Sequence, residues 1–199
     1  MRIKSFIVLL FFYTLAWSSP SDKDNCLKIL EPTKQASVKV IAEDFPWWFN
    51  LGLAKTETNC KWRISLDGHS SIGYFQLTPK FLDTLLRPVY PDYTKPYSTQ
   101  HFYAFAYYLK SILVKPLWIT YQRYNGGDWV LKECKRANSF KWEDCKKECR
   151  RGMVCVWKVG AECKQYRSAC DINYSYSLKI YKNGLKYKSG TDTSKFTFF

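Results

Sequence analysis

Histidine and acidic residues are scarce in this chain, and no two cysteines form a Cys-x-x-Cys pair. The two histidines, His69 and His101, lie far from the six cysteines gathered between 134 and 170. That separation argues against a zinc-type site, although Cys145-x-x-x-Cys149 has the look of half of one. The sequence calls for no metal and no organic cofactor. Carboxylates number 17 against 31 Lys and Arg, giving a formal charge of +14, or +12 without Arg2 and Lys4. Such a balance excludes a preference for cationic partners and favours polyanionic surfaces. Lipopolysaccharide, teichoic acid and the carboxylates of cell-wall peptides suit an exported chain better than nucleic acid, which is not expected as a partner. The bland alternative is a solvated surface tuned for solubility. Beyond residue 17 no apolar run is long enough to span a bilayer.

What is present is apolar and aromatic. With 46% hydrophobic and 18% aromatic residues over 199 positions, the chain has the material for one well-buried domain, and disorder is excluded. The first residues carry Arg2 and Lys4, then an apolar run from Phe6 to Trp17 and the small-x-small pattern Ala16-Trp17-Ser18. These are the parts of a cleaved secretory signal over 1–19, with an uncleaved anchor as the rival reading. The expected location is the periplasm or the exterior. In an oxidising compartment, eight cysteines, all beyond the signal, read as disulfides.

Residues 20–37 are polar, are broken by Pro20 and Pro32, and read as an N-terminal arm that Cys26 staples down; elimination pairs it with Cys60, since the other six cysteines cluster later. From Ser37 the pattern turns helical, with Val38, Ile41 and Phe45 on one face. Pro46 then suits the first turn of a helix from Trp47 to Glu57, with Asp44 as a cap. A loop with an Asp67-Gly68 turn leads to Gly73-Tyr74-Phe75-Gln76-Leu77-Thr78-Pro79 and a helix over 79–86. Residues 87–98 hold three prolines and form an extended loop. A core helix follows, capped by Ser98 or Thr99, with Phe102, Phe105, Ala106, Leu109, Ile112 and Leu113 on its stripe. Another helix, 117–124, ends in the turn-like Tyr124-Asn125-Gly126-Gly127. Six cysteines between 129 and 170 mark a stapled subdomain or a pinned lid, whose connectivity spacing does not fix.

Glu57 at the end of an apolar helix, the Gly-aromatic-aromatic-Gln-x-x-Pro string from Gly73 and the Tyr-Asn-x-Gly string from Tyr124, in that order, resemble the catalytic domain of lytic transglycosylases, which have a goose-type-lysozyme-like fold. The resemblance covers 38–130 and 171–185. It implies a mainly α, lysozyme-like helical domain (38–128 and 171–199), interrupted by the disulfide-rich insertion 129–170. It also implies that Glu57 is the sole catalytic acid and base, that Gln76, Tyr124 and Asn125 hold sugar, and that a tyrosine from the helix after the insertion points at Glu57. Tyr176 is the choice for that tyrosine and Tyr174 the alternative. Tyr74 and Phe75 replace the family's Leu and Met; as aromatics they suit pyranose faces, with simple core packing the competing reading for Phe75.

The activity implied is cleavage of the MurNAc-GlcNAc bond of peptidoglycan glycan strands with formation of a 1,6-anhydro end, for local opening of the wall. The partner implied is a secretion, conjugation or pilus machine of the envelope. Three other readings stay open: a hydrolytic muramidase using Asp67 or another carboxylate as base, a non-catalytic cationic wall-binding protein, and a secreted effector whose insertion binds a partner.

Overall fold

The computed structural model describes residues 24–65, 70–189 and 194–199. The expected signal, residues 20–23 and Asp67 with its turn lie outside them. The described chain is mainly helical, with one two-stranded sheet and four disulfides.

After a short 3-10 turn at Asn25–Ile29, α1 runs over Leu30–Val40 and α2 over Trp48–Thr58. The expected arm is therefore largely helix. Pro32 did not break it, because the proline sits in the first turn, where a backbone N–H has no helical acceptor to lose. The helix expected to continue through Phe45 stops at Val40, and Asp44 does not cap α2: its carboxylate accepts the Lys195 backbone N–H at 3.2 Å. Pro46 disfavours a helical Phe45. α3 spans Pro79–Leu86, α4 Thr99–Ser111 and α5 Leu117–Gly126. Ser98 caps α4 by accepting the Gln100 N–H. α5 extends past the expected turn, so Tyr124 and Asn125 project from its last helical turn.

Two contacts fix the helices that carry the site. Gly52 of α2 faces Gly184 of α8, the helix at Ala169–Leu185; a Cβ on Gly52 would lie 2.6 Å from the Gly184 nitrogen and the Ile180 carbonyl. Removing both side chains lets the two helix backbones touch. Beside them a buried polar chain ties α1, α2 and α5: Asn50 donates to Ser37 Oγ at 2.8 Å and accepts from Tyr121 at 2.7 Å, while Ser37 donates to the Thr33 carbonyl at 2.6 Å. Every member has a partner, as burial demands.

The cysteine-rich segment is not one unit. α6 (Trp129–Ala137) and α7 (Trp142–Lys147) join the core through Val130, Cys134 and Cys145, all buried. The antiparallel hairpin of β1 (Met153–Val159) and β2 (Glu162–Ser168) stays exposed along its length. The disulfides follow that division. Cys134–Cys145 joins α6 to α7, Cys149–Cys170 closes the base of the hairpin, and Cys155–Cys163 crosses it. All eight cysteines are thus in disulfides, and the half-site reading of Cys145 and Cys149 falls. Cys26 pairs with Cys60 as elimination suggested.

Gly184 lies within α8 and is buried. Further on, the Leu117 and Trp118 N–H groups donate to the Thr197 and Phe198 carbonyls at 3.0 and 2.9 Å. The Phe198 ring enters the core 4.4 Å from Phe49 and 5.0 Å from Tyr181.

Candidate active site

α2 ends at Thr58, where Asn59 turns the chain left-handed at φ 55°. The Thr58 hydroxyl donates to the Ala54 carbonyl at 3.1 Å and the Tyr74 carbonyl at 2.9 Å, so the helix end and the Gly73 string are joined one residue from Glu57. The Cys26–Cys60 disulfide anchors the same corner. Glu57 is half-buried at the head of this junction. Its Oε1 accepts a short hydrogen bond from the Tyr176 hydroxyl of α8. Burial pushes the carboxyl above the ordinary glutamate range, and the Tyr176 bond, which favours the ionised form, opposes that push in part.

Glu57 opens into a cavity of about 430 Å³ that it shares with Ser65, Ser71, Gln76, Thr78, Phe81, Tyr124 and Asn125. A second hollow of about 460 Å³ has Gln76, Thr78, Phe81, Tyr124 and Asn125 in common with it and continues past Tyr108 to Gly127. Together they make a groove. Glu57 is the only carboxylate among the described residues that line it.

Gln76 is held at φ 55°, and its side-chain nitrogen donates to the Gly73 carbonyl at 2.9 Å and the Arg63 carbonyl at 3.3 Å. Its amide orientation is thereby set by backbone. Gly73 (φ 81°) is required for two reasons: its left-handed conformation, and the His101 ring, which a Cβ would meet at 2.2 Å. His101 is buried, and burial depresses its pKa to about 4, so at neutral pH it is an uncharged packing residue. The Tyr124 hydroxyl donates to the Phe75 carbonyl at 2.6 Å, across the groove from α5. Burial and the neighbouring Glu57 charge hold that phenol neutral. Asn125 donates to Asn173 of α8 at 3.3 Å. A Cβ at Gly126 would stand 2.6 Å from that Asn173 oxygen, so the glycine makes room for the contact.

Glu57, Gln76, Tyr124, Asn125 and Tyr176 therefore converge. Tyr74 and Phe75 do not join them. Phe75 is fully buried, stacked on Phe105 at 3.8 Å, and Tyr74 packs edge-on to Trp62 and against Phe102 at 5.4 Å. Core packing is what the helix-facing side of the string dictates, and only the Phe75 carbonyl reaches the site. Of the two candidate tyrosines, Tyr174 turns away and donates to Glu133 at 2.7 Å. Glu43 and Asp44 line a separate hollow with Ala42 and Lys195.

The sequence reading missed Ser65, Ser71, Thr78 and Phe81. Ser71 and Thr78 share a hydrogen bond of 2.8 Å across the neck of the Gly73 loop, whose ends pair at Ile72 and Leu77. Phe81 had a legible signal: it falls off the Leu82–Leu86 stripe of α3 and is 63% exposed.

No protein-family model matches the sequence, and comparisons with curated proteins and with solved structures find no similar chain.

Proposed function

We propose that this helical domain is lysozyme-like and acts outside the cytoplasm as a peptidoglycan lytic transglycosylase, cleaving the MurNAc-GlcNAc β-1,4 bond. The observation that carries the reading is a desolvated carboxyl, Glu57, gripped by Tyr176 on a polar groove in which no described residue supplies a second acid. Ordinary glycosidases need two carboxylates. With one among the described residues, the substrate is proposed to supply the rest. Glu57, whose proton burial helps to retain, gives that proton to the bridging oxygen as the C1–O bond breaks, and the sugar's N-acetyl oxygen closes on the anomeric carbon. The carboxylate so formed takes the proton of the 6-hydroxyl, whose oxygen displaces the N-acetyl oxygen from C1. The product is a 1,6-anhydro end, and Glu57 is left protonated for the next cycle. Gln76, Tyr124 and Asn125 hold the glycan, and Tyr176 orients the carboxyl.

The test is digestion of purified sacculi by the oxidised mature protein and by Glu57→Gln, with mass spectrometry of the released fragments. Anhydro-muropeptides from the first and none from the second are expected. Reducing ends would make the protein a hydrolase and turn attention to Asp67 as base. Absence of any release, with sacculus binding retained, would make it a wall-binding protein. Opening the wall for an envelope secretion, conjugation or pilus machine is the role this activity suits.

A further inference from the structure

The β1–β2 hairpin exposes apolar side chains at neighbouring positions: Met153 and Val154, Val156 and Trp157, then Val159, with Tyr166 opposite, each at least 41% exposed. Met153 and Val154 pair in regular register and so point to opposite faces, and the register slips on either side of Trp157, so apolar groups stand uncovered on both faces of this ribbon. Exposed patches of this kind in a folded protein mark contact sites. Cations are interleaved with them at Lys158, Lys164 and Arg167, and the single acid of the two strands, Glu162, is paired with Lys164.

At the base of the hairpin a cavity of about 370 Å³ is lined by Trp129, Glu133, Arg136, Arg150 and Arg151. Glu133 is buried, and its charge is taken up by Arg151 Nε at 3.0 Å and the Tyr174 hydroxyl at 2.7 Å. Arg136 Nη2 donates to the Glu148 carbonyl at 2.6 Å, and Arg150 pairs with the Glu148 carboxylate at 3.3 Å. Arg151 Nη2 is buried and has no hydrogen-bond partner among the described residues. A guanidinium donor left open beside two further arginines and a 55% exposed Trp129 suits an anionic oxygen next to an apolar chain.

We infer that the disulfide-braced hairpin and the arginine hollow at its base form a docking site for an anionic phospholipid bilayer. The hairpin enters the boundary between headgroups and acyl chains, and a lipid phosphate occupies the hollow. A protein partner would cover one face or one edge of the ribbon and leave the other apolar face in water. A bilayer covers both at once. The interleaved cations select a negative surface, and aromatic residues such as Trp157 and Tyr166 suit the wet edge of the membrane. Among the described residues no helix is long and apolar enough to cross a membrane, so this contact lies on the surface. The site is separate from the Glu57 groove and stands independently of the activity proposed there.

The test is co-sedimentation of the full oxidised protein with vesicles of phosphatidylglycerol and phosphatidylethanolamine, and with vesicles of phosphatidylcholine alone. Binding to the first and not the second is expected. Val156→Ser with Trp157→Ser, at exposed positions that the fold does not use, should weaken it at least tenfold. Arg150→Ser should weaken it about fivefold, the worth of one basic residue near an anionic surface. Circular dichroism and thermal unfolding check that these variants stay folded, and Glu57→Gln should bind vesicles as the parent does. Equal binding to both vesicle types, binding to neither, or an unchanged affinity of the double variant would overturn the proposal. So would capture of a protein partner by the hairpin in place of the vesicles.

Discussion

The Glu57 carboxyl is set by two opposed forces, burial raising its pKa and the Tyr176 hydroxyl lowering it, with burial the larger. A glutamate whose folded pKa lies above its unfolded value costs stability once the pH exceeds that unfolded value of about 4.5, because the folded chain resists ionisation that the unfolded chain accepts. Glu57→Gln is therefore expected to raise the melting temperature at pH 7, with the gain vanishing below pH 4, as thermal unfolding at both pH values will show. The same change should reduce any glycan cleavage by about 10²–10⁴-fold, the usual worth of a positioned proton donor. Tyr176→Phe removes the force that lowers the pKa. The alkaline limb of the pH–activity profile, which reports loss of the Glu57 proton, should then move to higher pH. At this scale the sequence showed which residues would gather at one place better than it showed where each side chain points. Tyr74 and Phe75 stand two residues and one residue from Gln76, yet the left-handed turn at Gln76 sends its amide to the groove while the two rings enter the core. A backbone angle is not written in residue type when the residue is not glycine.

Glu57 and Tyr176 meet because α2 and α8 touch at Gly52 and Gly184. Gly52→Ala would gain about 1 kcal/mol of helix propensity. It would also press a methyl group to 2.6 Å from two backbone atoms that no rotamer change can move. Overpacking of that kind costs about 1–3 kcal/mol or more, so a net loss of stability is expected in urea titration, together with reduced activity as the helices part. Helices whose apolar stripe was complete in the sequence were legible, α3 at both ends and α4 at its start, although the stripe read through Ile112 and Leu113 overran the end of α4 at Ser111. α1 was not. Its buried face is made of Thr33, Ala36 and Ser37, whose two hydroxyls are satisfied by backbone carbonyls one turn back, so hydrophobic periodicity gives no signal there.

Over the whole molecule the four disulfides do different work. Cys26–Cys60 closes a 34-residue separation between the N-terminal turn and the end of α2, so replacing both by serine should cost about 3–4 kcal/mol of global stability. Cys155–Cys163 braces a ribbon that no other element covers. Its loss should leave the global melting temperature nearly unchanged and instead speed amide hydrogen exchange across 153–168, since an isolated two-stranded hairpin is marginal alone. The C-terminal segment 194–199 completes the core from the far end. Phe198→Ala should cost about 3–5 kcal/mol in chemical denaturation, the usual price of emptying a buried phenylalanine site.

By itself the sequence determined the helical class, the oxidised state of the cysteines, the pairing of Cys26 with Cys60 and the single carboxylate at the end of an apolar helix. Those follow from periodicity, composition and cysteine count, which are local or additive properties of a chain. Only the tertiary structure decided which tyrosine meets Glu57, that α6 and α7 belong to the core while the hairpin does not, and that Phe198 returns to pack on Phe49. The Tyr176–Glu57 and Phe198–Phe49 contacts join segments more than 100 residues apart, and which partner a buried group finds is settled by the packing of the whole core.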